Sequence, residues 1–170
     1  MATEGLTSRT DAEIRYSKLH LKELRESDMA AQGHDFERAH QEAFFAQLFS
    51  AYAGLLQELN ETLCCGLSPE GVSLGNMRSA TKSRGGVDPK LAELYMLEQD
   101  TATWLSQAKT MRDHVTHIGG IPLIFYAGGP NDGLTSFRHP KTLTEVPGHY
   151  LDNLETWAAE MEALVQRMRK

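Results

Sequence analysis

Three long segments of the chain carry apolar residues at steps of three and four, and this periodicity constrains the fold more than any other feature. In residues 36–64 the stripe contains Phe44, Phe45, Leu48, Tyr52, Leu55, Leu56, Leu59 and Leu63. In residues 89–118 it contains Leu94, Leu97, Trp104, Ala108, Met111, Val115 and Ile118. After Pro147 it contains Leu151, Leu154, Trp157, Met161, Leu164 and Met168. This spacing predicts three long helices, each with one buried face.

The segments between these helices complete the predicted architecture. Residues 1–34 are polar with irregular apolar spacing, so we expect a loosely packed N-terminal arm in which Asp11 caps at most a short helix. Residues 66–88 are rich in Gly and Ser and indicate a connector. The apolar run at 121–126 and a second short strand near 134–138 predict a hairpin. We therefore predict a mainly α protein, a four-helix-type bundle with a small β-hairpin insertion before the last helix, as a single domain over 35–170.

Composition and charge restrict the class of function. The formal net charge of −6 is unfavourable for a general nucleic-acid binder, so contact with RNA or DNA is expected at one local site. Cys64 and Cys65 are adjacent, which suits neither a loop-closing disulfide nor a zinc knuckle, and we interpret them as reduced. No apolar run has the length of a signal peptide or a membrane span, so we expect a cytoplasmic protein without a membrane partner.

The segment MRDHVTHIGG, residues 111–120, holds the densest group of reactive side chains. Helical geometry places Asp113 and His117, four residues apart, opposite the buried stripe of their helix. Arg112 lies on one flank of this face and His114 on the other. The candidate site residues Arg112, Asp113, His114 and His117 therefore point away from the core of their own chain.

Two interpretations need no enzyme. His and Arg are common in the last turn of a helix, where they complement the negative end of the helix dipole, so the face is compatible with a solvated helix end. A metal-binding helical bundle is another alternative, because His114 and His117 are spaced as ligands and Glu37 with His40 forms an ExxH pair. A second ExxH pair is missing and His117 points outward, so we predict neither a metal nor another cofactor.

Residues 112–117, RDHVTH, resemble the R-polar-x3-H form of the Rx4–6H motif of the HEPN superfamily. The context is similar over residues 36–168: a long aromatic-containing helix, a second helix with the motif near its end, and a closing amphipathic helix. The hairpin and the Gly-rich connector depart from the simplest four-helix pattern of that superfamily.

The resemblance implies a homodimer in which two copies of the motif meet and cleave RNA without a metal, as in toxin or antiphage endoribonucleases. His117 would then transfer a proton, and Arg112 would stabilise charge on the phosphate. Asp113 would orient a histidine or hold the partner subunit, and His114 would be a second acid or base.

Many HEPN proteins are not nucleases, so a non-catalytic helical interaction protein or a nucleotide-binding protein of the same fold stays open. Some members bind nucleotides, and others are antitoxin partners, scaffolds or inactive dimers. Local charge discriminates between these functions, because a nuclease should gather further cations around the motif. The candidates in the flanking loops are Lys82, Arg84, Arg138 and Lys141.

Overall fold

A computed structural model describes residues 2–27, 32–117, 121–130 and 133–170 of the chain. The helices of these residues are α1 (Ala2–Glu26), α2 (His34–Thr62), α3 (Leu74–Lys82), α4 (Pro89–Gln99), α5 (Trp104–His117) and α6 (Tyr150–Arg169). Between α5 and α6 lie the short strands β1 (Leu123–Phe125), β2 (Thr135–Arg138) and β3 (Glu145–Val146). The predicted mainly helical fold with a small antiparallel sheet before the last helix is confirmed. None of the described helices combines the length and the apolar character that crossing a bilayer requires.

Helix α2 is the centre of the bundle and packs against α1, α5 and α6. Its buried residues occupy most of its circumference. They are Gln41, Phe44, Phe45, Leu48, Phe49, Ala51, Tyr52, Leu55, Leu56, Glu58, Leu59 and Asn60. Of the residues in the three predicted stripes, Trp104 is half-buried at the edge of the core. The core itself contains Phe45, Leu48, Tyr52, Met111, Leu154 and Trp157.

The N-terminal segment differs from the loosely packed arm that its sequence suggested, because α1 is a long helix that lies along α2. Its buried residues follow one another at steps of four and three: Thr10, Ile14, Ser17, Leu21 and Leu24. Two of the five are hydroxyl residues, and this hid the periodicity. Each hydroxyl is satisfied inside its own helix, since Thr10 Oγ1 donates to the Leu6 carbonyl and Ser17 Oγ to the Ile14 carbonyl.

Small residues bring α1 and α2 close together. A Cβ atom added at Gly54 of α2 would lie 2.5 Å from Thr10 Oγ1, so a side chain there would push the two helices apart. Further along the same contact, the Nδ1 atoms of His20 and His40 are 3.2 Å apart. The Phe36 ring lies against the His40 ring with centroids 4.3 Å apart. The contact thus combines close backbone packing with a pair of hydrogen-bonded imidazoles.

The second predicted helix, residues 89–118, is two helices, α4 and α5, separated at Asp100–Thr103. Asp100 has an extended backbone, and its Oδ1 accepts a hydrogen bond from the Ala102 amide at 2.9 Å. Thr103 Oγ1 accepts from the Ser106 amide and so caps the start of α5. Asp and Thr favour such turns and caps, so the break has a local cause. The predicted helix end at 118–120 lies outside the described residues.

The connector at 66–88 contains more structure than its composition suggested. A 3-10 turn at Pro69–Gly71 begins after Ser68, and α3 follows with Ser73 as its side-chain cap. Arg84 reaches back to the end of α2 and donates to the carbonyls of Leu63 and Cys64. Both cysteines are free.

The sheet has the order β1-β2-β3 and is antiparallel throughout, so the predicted hairpin gains a third short strand. It is attached to the bundle through Phe137, which is completely buried. The Phe137 ring stacks on Trp157 of α6 with centroids 5.4 Å apart and meets Tyr150 edge-on. The sheet thus extends the aromatic core that begins at Phe45.

A buried carboxylate joins α1, α2 and α6. The side chain of Glu58 is only 6% exposed, and its two oxygens accept hydrogen bonds from Nε and Nη2 of Arg169 at 2.8 and 2.9 Å. Arg169 Nη1 also donates to Asp11 of α1. Its hydrogen bonds to Glu58 raise the pKa of Arg169 further above its usual range, so the guanidinium stays charged and the buried carboxylate keeps its partner.

We expect Arg169→Ala to lower the free energy of unfolding by about 2–3 kcal/mol, because it leaves the Glu58 carboxylate buried without a partner. The matched control is Arg167→Ala in the same helical turn. Arg167 pairs with Glu93 at the surface, where both side chains are more than two-fifths exposed, and its loss should cost less than about 1 kcal/mol. Urea titration measures both values. Equal losses would mean that the buried pair adds nothing beyond a surface pair.

We expect the imidazole pair to make stability depend on pH. Burial, and then the charge of His40, lower the pKa of His20, with Glu23 opposing both. The unfolded chain therefore binds this proton more readily than the folded one, so the free energy of unfolding falls as the pH drops below about 6.5. His20→Gln should weaken this decrease between about pH 7.5 and about pH 5.5 in denaturant titrations. His34→Gln, whose side chain is 94% exposed, is the control and should keep the wild-type decrease; an unchanged decrease in His20→Gln would contradict the prediction.

Candidate functional site

Helix α5, which carries the RDHVTH motif, is held against the bundle by four buried residues: Leu105, Ala108, Met111 and Val115. These residues fix the rotation of α5 about its own axis, so the side chains of Thr116 and His117 are exposed. Asp113 and His114 are intermediate in exposure. The predicted orientation of the motif away from the core agrees with these positions.

A polar link fixes α5 relative to α2 and α4 one turn before the motif. Glu98 of α4 accepts hydrogen bonds from Tyr52 of α2 at 3.0 Å and from Lys109 of α5 at 3.1 Å. Its side chain is 14% exposed. Burial, and then the carboxylate of Glu98, raise the pKa of Tyr52, so its hydroxyl keeps its proton and serves as a donor. Three helices therefore meet at one carboxylate next to the site.

Arg112 turns from α5 towards α2 and contacts two side chains. Its Cζ atom lies 4.5 Å from the centroid of the Phe49 ring of α2. Its Nε and Nη2 both donate to Oδ1 of Asp113, with the Nε–Oδ1 distance at 2.9 Å. The Arg112 side chain is 34% exposed. The guanidinium is therefore in a defined position at the surface and is accessible from one side.

An open groove of about 760 Å³ lies between α2 and the end of α5 and contains both motif residues, Arg112 and His117. Its polar lining combines one carboxylate with two guanidiniums and one imidazole, and its floor is made of small and aromatic side chains. The lining residues are Arg38, Glu42, Ala46, Phe49, Ser50, Ala53, Arg112, Val115, Thr116 and His117.

The other two predicted site residues do not line this groove. Asp113 acts on it indirectly, because it holds Arg112. His114 is half-buried, and its side chain has no hydrogen bond or ion pair with another described residue. The arrangement thus groups Arg112, Asp113 and His117 around one groove and leaves His114 beside it.

The predicted loop cations are absent from the groove lining, although Lys82, Arg84, Arg138 and Lys141 are all described residues. Arg84 is engaged at the end of α2 instead. The second cation of the groove is Arg38 of α2, which pairs with Glu42 at 2.8 Å and is 55% exposed. Sequence reasoning missed Arg38, because an exposed arginine on a helix has no signature of its own. It also missed Phe49 as a contact of Arg112.

The residues of the metal alternative have other partners. Glu37 accepts hydrogen bonds from Tyr150 at 2.9 Å and from Gln41 at 3.1 Å, and His40 faces His20. No group of three or more His, Cys, Asp or Glu side chains within the described ranges is arranged to hold a metal ion. The geometry therefore favours the groove, with its cations and its imidazole, over Glu37 and His40 as the candidate site.

Compared with known proteins, the chain matches no family model, no curated protein and no solved structure. The function is therefore inferred from the RDHVTH motif, from the order of the helices and from the geometry of the groove.

Proposed function

We propose that the protein is a HEPN-like, dimeric, metal-independent endoribonuclease of the toxin or antiphage type. The observation that carries this proposal is that Arg112 and His117, five residues apart in the motif, line the same open groove. They supply the two functions that phosphodiester cleavage needs, a fixed cation and an imidazole that can transfer a proton. A cognate antitoxin is the partner expected for a chain of this type.

The proposed reaction is internal transesterification of RNA. The ribose 2′-oxygen attacks the adjacent phosphorus, the bond from phosphorus to the 5′-oxygen breaks, and the products are a 2′,3′-cyclic phosphate and a free 5′-hydroxyl. His117 accepts the proton of the 2′-hydroxyl or protonates the departing 5′-oxygen. Arg112 stabilises the negative charge that grows on the phosphate oxygens.

One imidazole cannot accept and donate a proton at the same moment, and this supports a second copy of the site. A two-fold axis along the groove would supply His117 of a second chain for the opposite step. Three of the exposed α2 residues that line the groove are small and leave room for another helix: Ala46, Ser50 and Ala53. We therefore propose that the groove is also the dimer interface.

The charge balance of the groove supports weak and local RNA binding. Arg38 is paired with Glu42, and Arg112 is paired with Asp113. Because each guanidinium has a carboxylate beside it, the groove attracts phosphate only over a short range. We expect few released counterions and a shallow dependence of RNA affinity on salt concentration.

The same balance favours the second candidate function, a non-catalytic dimer that binds a nucleotide or a protein partner. A groove without excess positive charge accommodates one phosphate group more readily than an extended strand. In that case Arg112 would bind the phosphate and His117 would have no role in proton transfer. Loss of His117 distinguishes the two functions, because binding depends on it much less than cleavage does.

We expect the purified protein to cleave single-stranded RNA in the presence of EDTA and to leave cyclic phosphate ends. His117→Ala should abolish cleavage, since it removes the proton-transfer group. Arg112→Ala should lower the rate by about a hundredfold, the scale of a lost charge-stabilising group. His34→Ala, which changes a histidine outside the groove, should cleave like the wild type. Cleavage that persists unchanged in His117→Ala is contamination and leaves the non-catalytic function.

We expect a homodimer, with a mass in light scattering of about twice the 18.9 kDa of one chain. Ala53→Glu places a charge on the exposed floor of the groove and should give a folded monomer without nuclease activity. Ala163→Glu makes the same change on an exposed position of α6 and should stay dimeric and active. A wild-type monomer, or an active monomeric Ala53→Glu, would contradict the shared site.

A further inference from the structure

We propose that Phe49 and Asp113 are positioning residues that together hold the Arg112 guanidinium in one orientation, with its Nη1 edge directed at a phosphate group in the groove. This inference depends on the proposed function of the groove and extends it to two residues that do not carry out the chemistry. Phe49 sets the plane of the guanidinium, and Asp113 sets its rotation within that plane.

The Phe49 ring is suited to this role because the core itself holds it in place. The residue is 7% exposed, and its ring meets the Tyr52 ring edge-on with centroids 6.4 Å apart. Tyr52 is in turn tied to Glu98. The face of Phe49 that meets the Cζ atom of Arg112 is thus a rigid surface, and a guanidinium favours lying over such a face.

Asp113 occupies one edge of the guanidinium and leaves the other available. Its Oδ1 accepts from Nε and Nη2 of Arg112. Among the described residues, Nη1 has no hydrogen-bond partner, so its two N–H groups can be donated to a ligand. A guanidinium ordered in this way does not have to be immobilised when the phosphate charge grows, and this is how preorganised groups lower a barrier.

Arg38, the other arginine of the groove, is held less firmly than Arg112. It pairs with Glu42 one turn further along α2, both side chains are about half exposed, and no aromatic ring among the described residues contacts its guanidinium. Such an exposed ion pair contributes little to the free energy of folding, and its side chains move readily. Of the two arginines in the groove, only Arg112 is fixed on two sides.

The direct test follows the Nε–H resonance of Arg112 by NMR while inorganic phosphate is added. In the wild type, the ring current of Phe49 should shift this resonance upfield, and phosphate should move it further. Phe49→Leu should return it towards the position of a free arginine and weaken phosphate binding by roughly three- to tenfold. Phe49→Tyr keeps the ring and should behave like the wild type. An Arg112 resonance that is the same in the wild type and in Phe49→Leu would overturn the proposal.

The matched control for lost packing is Phe44→Leu. Phe44 is completely buried in the same helix, so this variant loses a similar apolar area without touching Arg112. It should lower stability and leave the Arg112 resonance in place. A shift equal to that of Phe49→Leu would assign the effect to general loosening of α2 and overturn the positioning role.

Kinetics on RNA provide a readout of the same idea. Phe49→Leu and Asp113→Ala should lower kcat by about tenfold with KM changed less than about twofold, while Asp113→Asn, which keeps the Oδ1 acceptor, should recover most of the rate. In an Arg112→Ala background, Phe49→Leu should have no further effect, because both act through one guanidinium. Additive losses would contradict the proposal.

If the wild type does not cleave RNA, the nuclease function fails, and the phosphate titration by itself still decides whether Phe49 and Asp113 position Arg112.

Discussion

The structure depends on the burial of helix α2 between α1, α5 and α6. A helix buried over most of its circumference removes far more apolar area from water than a surface helix does, and each large side chain contributes roughly 1.5–3 kcal/mol relative to exposure. Burying the polar side chains of the same helix costs free energy unless each of them finds a hydrogen-bond partner. Gln41 donates to Glu37, Glu58 is held by Arg169, and Asn60 bonds to both the amide and the carbonyl of Leu67. Because each of these groups has a partner, α2 is central without leaving a buried charge unsatisfied.

The groove is a consequence of the same packing. Helix α5 contacts α2 through its buried stripe, and beyond that contact the exposed side of α2 carries the small residues Ala46, Ser50 and Ala53. The groove therefore remains open between the two helices, and the last turn of α5 lies along its edge. The aromatic residue at the boundary, Phe49, belongs to the core on one side and to the groove on the other. The packed core thus holds Phe49 in place, and Phe49 in turn contacts Arg112, the first residue of the motif.

Electrostatics set the character of this groove as much as its shape does. Two guanidiniums and two carboxylates occupy a small region, so the charges nearly cancel, in line with a chain of net charge −6. In such a site, phosphate recognition depends on the orientation of one cation, Arg112, because the summed electrostatic field of the groove is weak. For this reason Asp113, which offsets the positive charge of Arg112 nearby, is compatible with a role for that arginine in stabilising a transition state.

The sequence by itself determined the central helix, the closing helix, the short strands before it and the outward direction of the RDHVTH segment, because hydrophobic periodicity reports burial directly. It did not determine the packing of α1, since Thr10 and Ser17 are buried through bonds to their own helix and interrupt the apolar pattern. The break at Asp100–Thr103 had a local signal, Asp and Thr in turn and cap positions, that the long apolar stripe concealed. The tertiary structure alone decided which residues share the groove: Arg38 and Phe49 of α2 line it together with Arg112, and the loop cations do not. Contacts between side chains far apart in the chain depend on how the helices are set against each other, and no periodicity within one helix contains that information.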